Sequence, residues 1–246
     1  MKSETTHPFE SMIGAISRLL TDGEVAACGT LSPIPAAAIL LAAHTHAPNL
    51  TPLVYGDPSL RISDGLFEFF GLAQRGLIDT FFLSGIQIDK RGNINLSVIG
   101  DYHKPKIRLP GGAGSSMLYA MARRTIIFTI NHTKRLFVER VDFRNATPDD
   151  GDLKTPWRRG GPSHIVTPLC VMKYDGSRGY FCLDRCLPGV SMKDVVENTG
   201  FDLDIGNSSV PTMDPLTEQE LAAIRGPVLD QMRRIYPLFS SMIWNG

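Results

Sequence analysis

The densest run of chemically capable residues lies between positions 84 and 116. A strand end at Ser84-Gly85 leads into Gln87-Ile88-Asp89 and then Lys90-Arg91-Gly92-Asn93-Ile94-Asn95. A glycine and two asparagines packed into a turn can bring a side-chain amide and free backbone N–H groups to one spot. In an α/β sheet, turns beyond strand ends are where ligands sit. The same residues also suit a tight reverse turn whose glycine simply takes positive φ, and residue type alone leaves both readings open. Next comes Leu109-Pro110-Gly111-Gly112-Ala113-Gly114-Ser115-Ser116, ahead of a predicted helix. Its glycines would let the backbone approach a ligand, with N–H groups available to an oxyanion or phosphate. No GK[ST] follows and GxGxxG is absent, so it is neither a P-loop nor a dinucleotide fingerprint. Binding loop and plain connection both remain open.

The histidines carry no recognisable hydrolytic motif. His44 and His46 fall at a predicted helix end, where capping suits them. His103 follows Gly100-Asp101-Tyr102, and His132 sits in Asn131-His132-Thr133-Lys134-Arg135. Neither GxSxG nor HExxH accompanies any of them. Arg123-Arg124 and Arg158-Arg159 read as solvated faces, although a basic pair beside a glycine loop could meet a phosphate.

The elements that must position these residues alternate at short intervals over 8–143, the pattern of an α/β layer fold. Apolar residues at Phe9, Met12, Ile13, Ile16, Leu19 and Leu20 follow helical spacing, and Asp22-Gly23 stops that helix. Strands are predicted at 24–29, 53–56, 80–85, 96–100 and 125–130, and helices at 35–43 and 66–74. The stretch 145–162 is rich in Pro, Gly, Asp and Arg and reads as a surface loop or lid. Beyond it, 165–174 and 179–183 read as antiparallel strands joined at Asp175-Gly176. Ser191-Met192-Lys193-Asp194 matches a capping box. A C-terminal helix from about 217 breaks at Gly226-Pro227 and resumes to 236. One domain spanning 1–246, with a C-terminal extension from about 205, is the expected organisation.

Composition narrows the class. The chain has 246 residues, 25 basic and 25 acidic side chains, and is 43% hydrophobic. That is ample length for a core, and zero net charge offers no excess to grip a phosphate backbone, so nucleic-acid binding is not expected. Apolar runs such as 35–43 fall well short of the ~20 residues that span a bilayer. Met1-Lys2-Ser3-Glu4-Thr5-Thr6-His7-Pro8 does not resemble a signal peptide. Cys28, Cys170, Cys182 and Cys186 lack CxxC or zinc spacing and read as reduced thiols of a cytoplasmic protein without a metal.

Taken in order, these segments resemble a known family. Gln87-Ile88-Asp89-x-x-Gly92-Asn93-x-Asn95, Ile99-Gly100-Asp101-Tyr102-His103-x-Pro105-Lys106 and the glycine-rich loop are similar to the second-subunit pattern of class I coenzyme A transferases, of the glutaconate CoA-transferase type. Further matches are His132-x-Lys134-Arg135-x-Phe137, Val141-Asp142-Phe143, Glu197-Asn198-Thr199-Gly200-Phe201-Asp202-Leu203-Asp204, Asp22-Gly23-Glu24-Val25 and Ala47-Pro48-Asn49. The resemblance runs over about 8–205. It implies the open, three-layer CoA-transferase-like α/β fold (NagB/RpiA/CoA transferase-like) with a mixed, largely parallel sheet. It also implies a separately encoded α subunit, in an α2β2 heterotetramer with the active site where the subunits meet. No tightly bound cofactor is implied; coenzyme A enters as the acyl-CoA substrate.

In that family a β-subunit glutamate attacks the acyl-CoA thioester. An anhydride and then an enzyme–CoA thioester follow, and CoA passes to a second carboxylic acid, with an oxyanion pocket assisting. By the resemblance, Asn95 is the amide donor to the thioester carbonyl and Gly112, or a neighbour in its loop, the backbone donor. Gln87, Asp89, Gly92, Asn93, Gly111, Gly112, Ala113, Gly114 and His132 are the implied substrate and CoA contacts. The chain departs from the family at the nucleophile. Tyr55, in Pro52-Leu53-Val54-Tyr55-Gly56-Asp57-Pro58, stands where a glutamate followed by Ser-Gly is expected. A phenol cannot form an acyl anhydride. Asp57 is the nearby carboxylate, one methylene shorter and about 6–7 Å further along an extended strand; it also suits a plain Asx turn. The departure, together with Ser63-Asp64-Gly65-Leu66 and the residues to 76, also fits relatives that hydrolyse a carbon–carbon bond in cyclic acyl-CoA substrates. An inactive CoA-binding partner is the third alternative.

Overall fold

The computed structural model describes residues 6–61, 65–148, 158–206 and 209–244. In chain order these form α1 (Pro8–Ser17), β1 (Val25–Cys28), α2 (Pro33–His44), β2 (Thr51–Val54), α3 (Leu66–Gln74), β3 (Thr80–Leu83), β4 (Gln87–Ile88), β5 (Ile94–Asn95), β6 (Val98–Gly100), β7 (Pro105–Arg108), α4 (Ser115–Met121) and β8 (Arg124–Phe128). Then follow β9 (Pro162–Val166), β10 (Cys170–Asp175), β11 (Tyr180–Cys186), α5 (Met192–Asn198), α6 (Glu218–Ala223), a π-helical turn (Ile224–Val228), α7 (Leu229–Ile235) and α8 (Pro237–Trp244). The chain divides into two compact units, one of residues 1–62 with 213–246 and one of residues 63–212.

In the first unit, β1 and β2 pair in parallel, Val25 with Thr51 through Cys28 with Val54. Helix α2 has Pro33 at its start and is buried on every side from Ile34 to Ala42, so its sequence shows no polar stripe. Helix α1 opens on a capping box made by His7 and Glu10. Glu10 is 1% exposed. It accepts from the Arg225 guanidinium (2.9 and 3.0 Å) and from Trp244 Nε1 (3.0 Å). Arg18 reaches Glu220 through two nitrogens (2.7 and 2.6 Å) and the Asp214 and Pro215 carbonyls. A buried carboxylate needs such a partner. The C-terminal residues are therefore built into this unit by two arginine–glutamate pairs.

In the second unit five strands run in the order β11-β10-β9-β8-β3. β3, β8 and β9 are parallel, and β9, β10 and β11 antiparallel. Core residues such as Phe82, Ile126, Ile165, Val171 and Phe181 are at most 2% exposed. The elements are those of an α/β protein with mixed strand pairing, as expected. No helix among the described residues is long and apolar enough to cross a membrane.

Several expected boundaries move. The single strand expected at 165–174 is the end of β9 and β10 up to Tyr174. Thr167 Oγ1 accepts from the Leu169 and Cys170 N–H groups (both 3.1 Å), and that side-chain turn folds the chain back. The strand expected at 96–100 starts at Val98 and pairs only with β7, in a separate ribbon. β2 stops at Val54, before Tyr55. The break at Gly226-Pro227 is present as a π-turn with Gly226 at φ −112°, ψ −109°, whereas α8 was not anticipated. The Ser191 capping box forms as read, with Asp194 answering at its third position. Of the stretch read as a lid at 145–162, residues 149–157 lie outside the described residues, as do Ser63 and Asp64.

Candidate functional site

The hairpin β4–β5 is the frame of the candidate cradle. Its strands pair Gln87 with Asn95 and Ile88 with Ile94. Asp89 closes the turn by accepting from the N–H of Arg91 (3.1 Å) and of Asn93 (3.0 Å) and from Asn93 Nδ2 (2.9 and 3.1 Å). Gly92 sits there at φ +85° and receives a hydrogen bond from the buried Tyr119 hydroxyl on its carbonyl (2.7 Å). Of the two readings left open above, the 89–93 segment is thus a tight reverse turn whose groups largely satisfy one another. Asn93 Oδ1 is the exception, buried without a hydrogen-bond partner among the described residues. A Cβ on Gly92 would lie 3.1–3.2 Å from Tyr119, Phe181 and Pro162. Gly92→Ala is expected to cost about 1–2 kcal/mol, from positive φ and crowding together; a urea midpoint equal to that of the wild type would contradict this.

At the other end of the hairpin, Asn95 is fully buried. Its Nδ2 donates to Gln87 Oε1 (2.7 Å) and to the Val98 carbonyl (2.6 Å). Its Oδ1 accepts from the N–H groups of Ser97 (3.0 Å) and Val98 (3.3 Å). Both amide hydrogens are therefore engaged, and the side chain shapes the Leu96–Ser97 corner from within. Gln87 Oε1 also accepts from the Asp142 N–H (2.9 Å) while its Nε2 donates to Asp142 Oδ2 (3.0 Å). That carboxylate receives the Gly100 N–H as well (2.8 Å).

The glycine-rich loop docks on this corner. The Gly111 N–H donates to the Leu96 carbonyl (3.1 Å) and the Leu109 N–H to that of Ser97 (2.8 Å). Asn145 ties the two from the side: its Oδ1 accepts from the Leu96 N–H (2.7 Å) and its Nδ2 donates to Ser97 Oγ (2.7 Å). Its carbonyl accepts from the Ser116 hydroxyl. Gly111 takes φ +92°, and Ala113 takes φ +43°, the one positive value at a non-glycine among the described residues. Gly114 packs on Phe70, where a Cβ would come within 2.3 Å of the ring. No hydrogen bond among the described residues uses the N–H of Gly112 or Ala113. The asparagine corner and the glycine loop, set apart in sequence, share one spot. Asn145 has no local signal in the sequence, and Asp142 figures there only within the Val141-Asp142-Phe143 match, because the partners of both lie far along the chain.

A pocket of ≈ 1000 Å³ lies along the turn end of the hairpin, lined by residues including Lys90, Arg91, Arg140, Arg144, Phe143 and Tyr180. Lys90 Nζ sits 4.4 Å over the Tyr180 ring. Phe143 stacks on Tyr102 (5.0 Å), which also has the Arg108 guanidinium at 4.8 Å and the His103 ring edge-on at 5.5 Å.

His132 does not belong to this surface. It is 7% exposed, packs on Phe137 at 4.4 Å, and has Thr167 Oγ1 (2.9 Å) on Nδ1 and Thr199 Oγ1 (3.0 Å) on Nε2. Thr199 gives its own hydrogen to the Val195 carbonyl (2.8 Å), so Nε2 carries the ring proton. The imidazole is a neutral buried link between segments, and burial pushes its pKa down to about 4. Both ring nitrogens are occupied by threonine hydroxyls.

In the other unit, Tyr55 and Asp57 do not lie on an extended strand. The Asp57 N–H returns to the Val54 carbonyl (2.9 Å), making a tight turn of Val54-Tyr55-Gly56-Asp57. Asp57 is 7% exposed; its Oδ1 accepts from the Ser59 N–H (2.9 Å) and hydroxyl (2.7 Å), and its Oδ2 from Gln231 Nε2 (3.0 Å). Burial alone would push this carboxyl up, yet the bonds from Gln231 and Ser59, with Arg234 nearby, bring it below the ordinary value. Asp57 is an ionised Asx-turn residue. The Arg61 guanidinium lies 5.8 Å from the Tyr55 ring centre.

Comparison with known proteins agrees with this architecture. The family model described as coenzyme A transferase matches residues 56–198. The B subunit of 3-oxoadipate CoA-transferase of Pseudomonas knackmussii is 32% identical over 244 residues, covering 88% of this chain and 91% of its own. The chain therefore belongs to the coenzyme A transferase family. The B subunit of glutaconate CoA-transferase of Acidaminococcus fermentans is 36% identical over 135 residues, 52% of this chain and 49% of its own. A chain of the solved structure of glutaconate CoA-transferase from that organism superposes with a TM-score of 0.75 at 25% identity, over 94% of this chain and 95% of the other. The cholesterol ring-cleaving hydrolase IpdB subunit of Rhodococcus jostii is 32% identical over 146 residues, 58% of this chain and 56% of its own.

Proposed function

We propose that this chain is the β subunit of an enzyme that moves CoA between carboxylic acids, working with a separately encoded α subunit in an α2β2 assembly in the cytoplasm. The observation that carries the reading is the lock between the asparagine corner and the glycine loop. It leaves the Gly112 and Ala113 N–H groups available at a fixed place, as an oxyanion hole for a thioester carbonyl requires. Asn95 and Asn145 hold that place; Asn95 would reach the carbonyl itself only by releasing Val98. The neighbouring pocket, with its lysine and arginines beside aromatic rings, suits the phosphates and base of coenzyme A. CoA thus enters as substrate, not as a tightly held group.

The carboxylate engaged in the turn after β2 favours a second reading. Asp57 is tied to Ser59 and Gln231, and Tyr55 cannot form an anhydride, so hydrolysis of a carbon–carbon bond in a cyclic acyl-CoA, with the base supplied by the partner subunit, is the alternative. Incubation of the chain and its co-purifying subunit with an acyl-CoA and an acceptor acid, followed by borohydride or hydroxylamine trapping and peptide mapping, separates them. Passage of CoA to the acceptor with Asp57 labelled is the expected result for transfer. Opening of a cyclic acyl-CoA to a new carboxylic acid that keeps its CoA thioester, without a label, supports carbon–carbon bond hydrolysis. Absence of any turnover, with CoA still bound, leaves the inactive partner.

A further inference from the structure

The turn that carries Tyr55 is gripped by the C-terminal helix. Gln231, on α7, donates to Asp57 Oδ2 at 3.0 Å. A Cβ on Gly56 would meet the Tyr236 hydroxyl at 3.0 Å and Ile235 at 3.5 Å, so those two side chains press on the middle of the turn. On its other flank the Tyr55 N–H donates to the Cys28 carbonyl (3.1 Å). Only one side-chain hydrogen bond joins α7 to the turn among those the described residues show, and it ends on the single carboxylate there. The geometry points to Gln231 as a positioning residue for the candidate active-site turn: by holding Asp57 it fixes the place of Tyr55. This inference rests on the acyl-CoA reading for its activity readout.

The role follows from hydrogen-bond polarity. Asp57 Oδ1 is taken by Ser59, and only an N–H or O–H donor at position 231 can satisfy Oδ2. The charged and titratable groups around it are Arg234 on the same helix, the Tyr236 phenol and, beyond that phenol, the Cys28 thiol; Arg61 faces Tyr55. A glutamate at 231 would be isosteric with the glutamine. Protonated, it donates the same bond; ionised, it sets a second negative charge against Asp57, and the like charge raises the pKa of the pair.

The test uses full-length Gln231→Glu and Gln231→Leu with the co-purifying subunit. Gln231→Leu should lower kcat about tenfold or more with KM unchanged, because small displacements of reacting groups are costly. Gln231→Glu should keep activity at low pH and lose it as pH rises, at a lower pH than any such loss in the wild type. Carbon-13 titration of the Asp57 carboxyl in the full chain reads the same contact without turnover: its midpoint should rise in both variants. If the wild type turns over no acyl-CoA, the acyl-CoA reading fails and the titration alone decides on Gln231. An unmoved Asp57 midpoint in both variants, or a Gln231→Glu activity profile parallel to the wild type, would overturn the assignment.

Discussion

Asn95→Asp is expected to abolish turnover and to lower stability by about 3 kcal/mol or more, the largest effect of any single change near the cradle. The wild-type amide donates to two oxygens and accepts from two N–H groups in a fully buried place. The aspartate has the same shape but no hydrogens. Gln87 Oε1 and the Val98 carbonyl would then face a carboxylate, acceptor against acceptor, with no water to intervene. Either the carboxylate is protonated at a cost or the Leu96–Ser97 corner moves. Because Gly111 and Leu109 hang from that corner, the glycine loop moves too, and displacement on the order of 1 Å is worth about 100-fold in rate. Denaturant unfolding and acyl-CoA turnover should fall together. A variant that loses stability yet keeps wild-type kcat/KM would show that the corner does not set the loop. Asn145→Ala should follow the same direction with a smaller loss, since its bonds are only partly buried.

Acid should unfold this protein early, through His132. The imidazole titrates at about 4 in the native state, against about 6.5 in an unfolded chain. Between those values the unfolded chain binds the proton and the native one does not, so stability falls as pH is lowered. The contribution is fully present above about pH 6.5, is lost progressively towards pH 4, and amounts to about 3 kcal/mol in all. His164, also pushed down to about 4 by burial, acts in the same direction. Chemical denaturation at pH 7, 6 and 5 measures the slope, in a range where carboxylates contribute little. His132→Gln should be less stable at pH 7, because Thr167 and Thr199 lose their partner, and should show a shallower slope. An unchanged slope in that variant would place the acid sensitivity elsewhere.

How much of this could be read along the chain depends on the distance over which each interaction acts. Helical spacing identified α1, and the helices read at 66–74 and from about 217 to 236 are present as α3 and as α6 to α7. The capping box at Ser191, the Asp175-Gly176 hairpin and the stop at Gly226-Pro227 are local and formed as read. The turn read within Gln87–Asn95 is present, between β4 and β5. What failed also failed for local reasons: Thr167 bends its own backbone, so one apparent strand is two, and β2 ends before Tyr55 because Asp57 and Ser59 prefer their own turn.

The sequence by itself determined the α/β class and the family pattern, since both are set by residue order and short-range propensity. Only the tertiary structure decided which polar groups meet. Asn145 is joined to Ser97 across 48 positions and Gln231 to Asp57 across 174. His132 became a buried link because Thr167 and Thr199, 35 and 67 positions away, occupy its nitrogens. A hydrogen bond is satisfied by whatever donor the fold delivers, and that partner leaves no periodic mark on either stretch of chain.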